Sequence, residues 1–91
     1  MPTMVIKGKI TKGYDHWLEA FDGTEKLRNS KYGIKCIYRG HEIDDPDTIH
    51  VVMYTPSMEA VMEHMENDKE LIDKAGGDPN PAANEMVICS D

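Results

Sequence analysis

The chain of 91 residues has the length of one domain, and its 17 acidic against 10 basic residues give a formal net charge of −7. This charge argues against nucleic acid as a partner, because a phosphate backbone would be repelled. Two cysteines are too few for the disulfide framework of a small secreted domain, and no apolar run approaches the roughly 20 residues of a membrane span. We therefore expect a single domain over residues 1–91, cytoplasmic and without a membrane partner.

The first strand and the first helix are predicted from a change in the period of the apolar residues. Residues 3–10 alternate between apolar and polar side chains, which is typical of a β-strand, and Gly13 follows them. Residues 14–28, YDHWLEAFDGTEKLR, have their aromatic rings at helical spacing. Gly23 lies within this helix and costs about 1 kcal/mol relative to alanine. Gly33 is the expected end of the helix, because glycine readily adopts the left-handed conformation found there.

A β-hairpin is predicted from the next two alternating stretches. Residues 34–40 and 48–54 are the second and third strands, and residues 41–43 can extend the second. The sequence DDPD at residues 44–47 is expected to form the turn, because proline presets the backbone and aspartate forms local hydrogen bonds. Two strands joined by a short polar turn make a hairpin.

The second helix is predicted to begin after Ser57, which is a suitable N-cap. Asn67 and Asp68 offer a second cap, so we expect the helix to break there and to restart over residues 69–74. Apolar side chains recur at helical spacing and mark its buried side: Met58, Val61, Met62 and Met65.

The linker at residues 76–81 is rich in glycine and proline and cannot continue the helix, and residues 85–89 form the last strand. The order is then strand, helix, strand, strand, helix, strand. With right-handed crossovers this order predicts an α+β fold, a ferredoxin-like βαββαβ with a four-stranded antiparallel sheet. The expected spatial order of the strands is four, one, three, two, with both helices on one face.

The two faces of the predicted sheet differ in composition. The more apolar face should lie under the helices: Met4, Ile6, Ile10, Ile34, Cys36, Tyr38, Ile49, Val51, Met53, Met86 and Ile88. The other face combines apolar and polar side chains: Val5, Ile37, Val52, Tyr54, Val87 and Cys89 with Lys7, Lys35, Arg39 and His50. So much apolar surface is seldom left bare, and we predict a homodimer packed sheet to sheet. The alternative is an ordinary solvated face with scattered apolar residues.

The first helix contains the main candidate ligand-binding residues. Trp17, Phe21, Thr24 and Arg28 follow one another at steps of three and four, so they share one face of the helix. An apolar stripe that ends in a hydroxyl and a guanidinium suggests a helix bordering a pocket. If Arg28 faces inward, its charge needs an acidic residue or an anionic or carbonyl-bearing ligand; otherwise it reaches out to water. The alternative for the two rings is ordinary core packing.

Two further residues are assigned to the same ligand site. Tyr38 would supply a phenol beside the first helix, if the face assignment above holds. Met62 belongs to the methionine stripe of the second helix, whose flexible thioethers would suit a flat apolar ligand. Packing of the methionines into the core is the alternative.

The four histidines, His16, His41, His50 and His64, contain neither HxxxH nor HxH spacing. With two distant cysteines they form no recognisable metal motif, and we predict neither a metal nor a cofactor. His50 is expected on the face that meets the partner, whereas His16 and His64 are expected on exposed helix sides. The sequence reveals no nucleophile with an adjacent base and no pair of catalytic carboxylates.

A series of short motifs follows a recognisable order along almost the whole chain. They are Tyr14-Asp15-x-Trp17-x-x-x-Phe21-Asp22 leading to Arg28, the strand after Gly33, Asp44-Asp45-Pro46, Met58-Glu59-Ala60, Glu70-Leu71 and Lys74-Ala75-Gly76. The chain thereby resembles the small dimeric α/β-barrel proteins of the antibiotic-biosynthesis-monooxygenase-like superfamily, in particular its compact uncharacterised members. One departure is Thr24, where compact relatives often have a histidine; a hydroxyl is no general base near neutral pH.

The resemblance implies a dimer in which each subunit binds an apolar or aromatic small molecule between helices and sheet. It further implies a cofactor-independent monooxygenase-like enzyme, in which an oxidisable aromatic substrate held in a dry cavity supplies the chemistry. A non-catalytic ligand-binding or stress-associated protein is the alternative. Haem-degrading enzymes and isomerases also occur among the relatives, so the shared fold does not decide the reaction or exclude haem.

Overall fold

The computed structural model describes residues 2–90. The elements in chain order are β1 (Thr3–Lys9), α1 (Tyr14–Gly23), α2 (Glu25–Leu27), a π-helical segment (Arg28–Tyr32), β2 (Lys35–Glu42), β3 (Asp45–Tyr54), α3 (Met58–Asn67), α4 (Lys69–Lys74), a 3-10 turn (Pro81–Ala83) and β4 (Glu85–Cys89).

The four strands of the described region form one antiparallel sheet in the order β2-β3-β1-β4. This is the predicted order four, one, three, two read from the opposite edge, so the prediction is confirmed. Met4 of β1 pairs with Met53 of β3 and with Ile88 of β4. With the helices packed on one face of the sheet, the protein has the predicted ferredoxin-like α+β fold.

The core lies between the helices and one face of the sheet, which we call the inner face. Met4, Val51 and Met53 contribute from the strands, and Trp17 and Val61 from the helices. Burial of these apolar side chains is the main favourable term that holds the two layers together. The opposite face, here called the outer face, carries Val5, Lys7, His50, Val52, Tyr54 and Val87.

The second helical region follows the sequence closely. The hydroxyl of Ser57 accepts a hydrogen bond from the backbone N–H of Ala60 at 3.2 Å, as expected for an N-cap. Asp68 separates α3 from α4, which confirms the predicted break. The first helical region differs, because it is interrupted at Thr24 and ends in the π-helical segment before Gly33. Gly33 has φ +69°, in agreement with its predicted role as the end of the helix.

A β-bulge in β2 reverses the predicted alternation of that strand. Cys36 pairs with Met53 on the inner face, but Tyr38 pairs with Val52 on the outer face, so Ile37 is an extra residue. The prediction that Tyr38 lies under the helices is therefore wrong. A single inserted residue moves every following side chain to the opposite face, until a second irregularity intervenes.

The same bulge brings Arg39 to the inner face, although simple alternation placed it on the outer one. Its Nε and Nη2 atoms donate hydrogen bonds to the carboxylate of Asp22 in α1 at 2.6 and 2.7 Å. These bonds lower the pKa of Asp22 and raise the pKa of Arg39. The ion pair ties the edge strand β2 to the end of the first helix.

The turn of the hairpin is also shifted from its predicted position at residues 44–47. The turn is formed by Ile43 and Asp44, and β3 already begins at Asp45. The carboxylate of Asp45 accepts hydrogen bonds from Lys9 Nζ and from the hydroxyl of Thr48, both at 2.6 Å. These bonds hold Asp45 beside β1, which explains why the strand extends further than its composition suggests.

The linker between α4 and β4 pairs with the end of β1. Ile10 forms a β-bridge with Gly77, the N–H of Thr11 donates to the carbonyl of Gly76 at 2.8 Å, and the N–H of Asp78 donates to the carbonyl of Lys9 at 2.9 Å. This backbone pairing holds the linker against the sheet, where it becomes part of the wall described below.

The outer face remains partly apolar and uncovered in the single chain. The exposed fractions of Tyr54 and Val87 are 42% and 57%, respectively. His50 lies on this face as predicted, and its Nε2 contacts the carboxylate of Glu42 at 2.7 Å. Among residues 2–90, no helix is long and apolar enough to cross a membrane.

Candidate functional site

A cavity of about 350 Å³ lies between the inner face of the sheet and the helices. Aliphatic and aromatic side chains form most of its wall, among them Met4, Ile6, Val51 and Met86 from the sheet and Val61 from α3. This volume is at the small end of the range found for pockets that bind small molecules. The polar side chains that reach the wall are Thr24, Arg28, His64, Asp73, Asp78 and Asn84.

The aromatic side chains of α1 form one side of the cavity. The rings of Trp17 and Phe21 are stacked, with centroids 4.8 Å apart and planes inclined by 21°. Tyr14 packs behind Trp17 with a centroid separation of 5.8 Å. Their spacing of three and four residues on one helix produces this arrangement, which offers a flat apolar surface to a ligand.

Arg28 is the most unusual residue of the wall, because its side chain is charged and only 3% exposed. Nη2 donates to the backbone carbonyl of Phe21 at 2.8 Å, and Nη1 donates to the hydroxyl of Thr24. The guanidinium carbon lies 3.9 Å from the centroid of the Phe21 ring, in a cation–π contact. Nε has no hydrogen-bond partner within the described residues.

Within residues 2–90, no carboxylate forms an ion pair with Arg28 that would neutralise its charge. Burial lowers the pKa of its guanidinium, and the more distant carboxylates of Glu25 and Asp22 act in the opposite direction. Arginine stays protonated in proteins, so the charge is retained. A buried cation bonded only to neutral groups favours a ligand with an anionic or carbonyl oxygen.

Thr24 borders the cavity, and its hydroxyl is hydrogen-bonded within the protein. Its hydroxyl accepts the hydrogen bond from Arg28 and lies 3.0 Å from the carbonyl of Phe21 and 3.2 Å from that of Ala20. Its single proton is thus directed to the helix backbone, and one of its lone pairs to the guanidinium. Thr24 borders the cavity, but its hydrogen bonds serve to position Arg28.

His64 lies in the cavity wall, and its predicted position on an exposed helix side is wrong. Its Nδ1 is 3.0 Å from Oδ2 of Asp68, and the hydroxyl of Tyr32 donates to the same oxygen at 2.8 Å. These hydrogen bonds, first from Tyr32 and then from His64, lower the pKa of Asp68. The sequence contained a signal for this cluster: His64 follows the buried Val61 by three residues and precedes Asp68 by four, so all three share one helix side.

Two of the predicted ligand-binding residues lie outside the cavity wall. Tyr38 is on the outer face of the sheet and 55% exposed, as a result of the bulge at Ile37. Met62 is 66% exposed, because α3 directs Val61 and Met65 toward the cavity and Met62 lies further around the helix. The structure therefore brings together four of the six predicted residues, and it adds His64, which the sequence-based prediction missed.

Asn84, which precedes β4, is one of the residues that line the cavity. Its Nδ2 donates to the backbone carbonyls of Asp78 and Asn80 at 2.9 and 3.2 Å. A Cβ atom at Gly8 would lie only 2.7 Å from Oδ1 of Asn84. Glycine at position 8 thus makes room for the side-chain amide oxygen of Asn84.

The remaining histidines lie away from the cavity wall. His16 is exposed, and its Nε2 donates to the carbonyl of Lys74 at 2.7 Å. The ring of His41 packs edge-on against Tyr14 with centroids 4.4 Å apart. Across residues 2–90, no group of three His, Cys, Asp or Glu side chains is arranged to hold a metal ion.

The fold places the chain among ferredoxin-like α+β domains, and it is similar to that of solved structures named as antibiotic biosynthesis monooxygenases. A protein from Nitrosomonas europaea, provisionally named an antibiotic biosynthesis monooxygenase, superposes with a TM-score of 0.71 over 100% of this chain and 98% of that chain, at 14% identity. SnoaB of Streptomyces nogalater, a cofactor-independent oxygenase solved in a mutant form, superposes with a TM-score of 0.67 over 99% and 91% of the two chains, at 10% identity. The resemblance seen in the sequence motifs is thus confirmed for the fold.

The sequence itself identifies the family. The profile of a domain of unknown function, DUF3764, matches residues 1–83, and the chain belongs to this family. A search of curated protein sequences gave no match. The family is uncharacterised, in agreement with the predicted similarity to compact uncharacterised members of the superfamily.

Proposed function

We propose that the protein is a small-molecule-binding dimer that holds a planar, mainly apolar molecule with an anionic or carbonyl oxygen. The observation that supports this proposal best is the buried guanidinium of Arg28 in an otherwise mainly apolar wall. Its two bonded partners, Phe21 and Thr24, are neutral, and its Nε has no partner within the described residues. An oxygen of the ligand would provide the missing acceptor and compensate the buried charge.

An aromatic ligand agrees with the shape and chemistry of the wall. The stacked rings of Trp17 and Phe21 offer a flat surface on one side. Met4 and Met86 contribute flexible thioethers that adapt to a ring and make favourable contacts with it.

We propose further that the protein acts on this ligand as a cofactor-independent monooxygenase-like enzyme. The fold shared with SnoaB supports this reaction class, although fold alone does not determine chemistry. The mainly apolar wall would suit an oxidisable aromatic substrate, because a bound apolar molecule displaces water from around the reacting atoms. Binding without turnover would instead support the non-catalytic alternative.

The dimer is proposed from the outer face of the sheet. Val5, Tyr54 and Val87 are each 40% or more exposed on this face, and Val52 lies beside Val5. A second copy packed sheet to sheet would cover these side chains symmetrically. Glu42 would keep its hydrogen bond with His50 and its ion pair with Lys7, and trapped water could bind the remaining polar atoms.

A cytoplasmic location is also proposed. The thiols of Cys36 and Cys89 are free, and that of Cys89 is exposed. Free exposed thiols persist in a reducing compartment, which agrees with this location.

Binding can be measured through Trp17, the only tryptophan of the chain. We expect 2-naphthoate to change its fluorescence, and 2-methylnaphthalene, which lacks the carboxylate, to bind more weakly. Arg28→Gln should weaken binding of 2-naphthoate by about 10- to 100-fold, as expected for loss of a charge-assisted hydrogen bond. Lys26→Gln, which removes an exposed cation in α2, is the matched control and should bind like the wild type.

An assay of turnover distinguishes the proposed enzyme from a non-catalytic binding protein. Dihydroxynaphthalene is incubated under oxygen with the wild type, Trp17→Ala and Arg28→Gln, and product is compared with a protein-free sample. Product that depends on the wild type and decreases in both variants supports the enzyme. If both variants form as much product as the wild type, the proposed site is wrong. Equal affinity of Arg28→Gln and Lys26→Gln for 2-naphthoate would contradict the binding proposal.

A further inference from the structure

The cavity contains a second polar group, His64, that the proposed binding of an anionic or carbonyl oxygen leaves without a role. Its side chain is 11% exposed, as is that of Asp68, so both lie largely away from solvent. Nδ1 of His64 is bonded to Asp68, while Nε2 has no hydrogen-bond partner within residues 2–90. A histidine in this situation is either a passive part of the wall or a proton acceptor for the ligand.

The hydrogen bonds of Asp68 determine the tautomer of His64. The pKa of Asp68 lies below its ordinary value of 3.8, so its carboxylate is ionised at neutral pH and can only accept hydrogen bonds. It accepts one from the hydroxyl of Tyr32 at 2.8 Å and one from Nδ1 of His64 at 3.0 Å. The proton of the neutral imidazole is therefore on Nδ1, and Nε2 has a free lone pair.

The break between α3 and α4 builds this arrangement. Asp68 lies at the break, four residues after His64, and its backbone N–H donates to the carbonyl of His64 at 3.0 Å. Tyr32 reaches Asp68 from the last position of the π-helical segment, whose first position is Arg28. One short segment therefore supplies both the cation of the cavity wall and the group that anchors the carboxylate behind His64.

We propose that His64 accepts a proton from a weakly acidic O–H group of the ligand bound in this cavity, with Asp68 as its positioning residue. The ligand O–H bond breaks and leaves its electron pair on oxygen, and a new N–H bond forms at Nε2. The resulting imidazolium still donates its Nδ1–H to Asp68, and this carboxylate stabilises the positive charge. The guanidinium of Arg28, in the same cavity wall, would stabilise the negative charge of the ligand oxyanion.

This proposal rests on the proposed function and narrows the class of ligand. A phenol or enol can enter the apolar cavity as a neutral molecule, and it becomes an anion only after binding. A permanently charged carboxylate would have to lose its hydration before entry, which is costly. The titratable and charged side chains that contact His64, lie in the same wall or lie behind Tyr32 are Asp68, Tyr32, Arg28, Asp73, Asp78 and Lys31.

The test uses 4-cyanophenol, because its phenolate absorbs at a longer wavelength than its neutral form. The spectrum of the bound probe is recorded near pH 7, about one pH unit below the pKa of the free probe, where most of the free probe is neutral and an ordinary imidazole can still accept a proton. Calorimetry in buffers with different ionisation enthalpies counts the protons released on binding. We expect the wild type to bind the probe as phenolate with no proton released, because the proton moves to His64.

His64→Gln keeps a polar side chain of similar length but lacks a basic nitrogen that can take up a proton. We expect it either to bind the probe in its neutral form or to release about one proton for each phenolate bound. His16→Gln removes an exposed histidine instead and should behave like the wild type. The 15N shifts of the imidazole test the role of Asp68: Nδ1 should carry the proton in the wild type, and Asp68→Asn should increase the share of the Nε2–H tautomer.

The outcomes separate this inference from the proposed function. Wild type that binds the probe in its neutral form, or that releases a proton for each phenolate bound, overturns the role of His64 and leaves ligand binding intact. No binding by any variant contradicts both proposals for this ligand class. An Nε2–H tautomer in the free wild type would also overturn the inference, because the lone pair would then face Asp68.

Discussion

Arg28 depends on Thr24 more than on any acidic residue, and this dependence gives a prediction at the level of one atom. Thr24→Val keeps the shape of the side chain but removes the acceptor of Nη1. A buried donor left without a partner costs about 1 to 3 kcal/mol, so urea unfolding should show a loss of stability of this size. Ser30→Ala removes an exposed hydroxyl bonded to the carbonyl of Lys26 and should change stability by less than about 0.5 kcal/mol. Equal effects of the two changes would contradict the role given to Thr24.

The residues of the site differ in how well the sequence predicts them. Trp17, Phe21 and Arg28 were found because helical spacing fixes which side chains share a face. Met62 was assigned to the site because it belongs to the apolar stripe of α3. This stripe is wider than the side of the helix that is buried, where only Val61 is fully buried. His64 was missed although its spacing from Val61 and Asp68 is visible in the sequence, because the contact of the distant Tyr32 with Asp68 is formed only in the folded chain.

Gly33 and Gly23 differ in backbone conformation, so substituting each by alanine should have opposite effects on stability. Gly33 has φ +69°, and an added Cβ would lie 3.3 Å from Pro56, so Gly33→Ala should cost about 1 kcal/mol or more. Gly23, at the end of α1, has no atom within 4 Å of such a Cβ and no positive φ. Gly23→Ala should therefore stabilise by about 0.5 to 1 kcal/mol. Thermal or urea unfolding of both variants measures the change in stability. If both substitutions stabilise the protein, or both destabilise it, the backbone conformation assigned to one of the two glycines is wrong.

The hairpin should respond to acid through Asp45. Hydrogen bonds from Lys9 and Thr48 lower the pKa of Asp45 from 3.8 to about 2. A carboxyl with a lower pKa in the folded state binds fewer protons there than in the unfolded chain. Its stabilising effect is therefore present above pH 3.8 and is lost as the pH falls toward about 2. The urea midpoint of the wild type should decrease over this window.

Asp45→Asn isolates the contribution of this carboxyl, because the amide does not titrate. Its urea midpoint should decrease less than that of the wild type over the same window. Asp44→Asn, in the adjacent turn, is the control for a general effect of charge. If all three proteins lose stability in parallel, Asp45 does not have the role described.

At the level of elements, the sequence predicted the position and type of the helices and strands better than the pairing register of the strands. β4 lies where it was predicted, and the break before α4 was visible in Asn67 and Asp68. The bulge at Ile37 was not visible, because an extra residue leaves the composition of a strand unchanged and is decided by pairing with β3. Tyr38 and Arg39 consequently exchanged faces, and the ion pair of Arg39 with Asp22 could not be foreseen.

For the whole molecule, the proposed dimer predicts a specific effect of charge on the outer face. Val52 lies on this face between Val5 and Tyr38, and Val52→Lys would place a charge inside a sheet-to-sheet interface. Sedimentation at micromolar concentration should give a mass near twice the 10.3 kDa of one chain for the wild type and a clearly lower mass for the variant. Ile43→Lys, at a turn residue that is 93% exposed, should keep the wild-type mass. A wild-type mass near 10.3 kDa would contradict the dimer.

The overall topology was predictable because few arrangements satisfy right-handed crossovers with this order of elements. The cavity was not, because its volume depends on how far the helices stand off the sheet and on the linker that pairs with β1. The alternation of apolar residues predicts neither the distance between helices and sheet nor the pairing of the linker with β1.

The position of β1 in the sheet has a consequence for biosynthesis. This strand is made before the others, yet it pairs along its full length with β3 and along most of it with β4, so that Thr3 faces both Tyr54 and Cys89. Contacts between residues so distant in the chain form slowly, because a long loop must close first. During translation the inner face beside β1 stays open until β4 has left the ribosome. A chaperone that recognises exposed apolar strands would therefore have its main opportunity to bind in that interval.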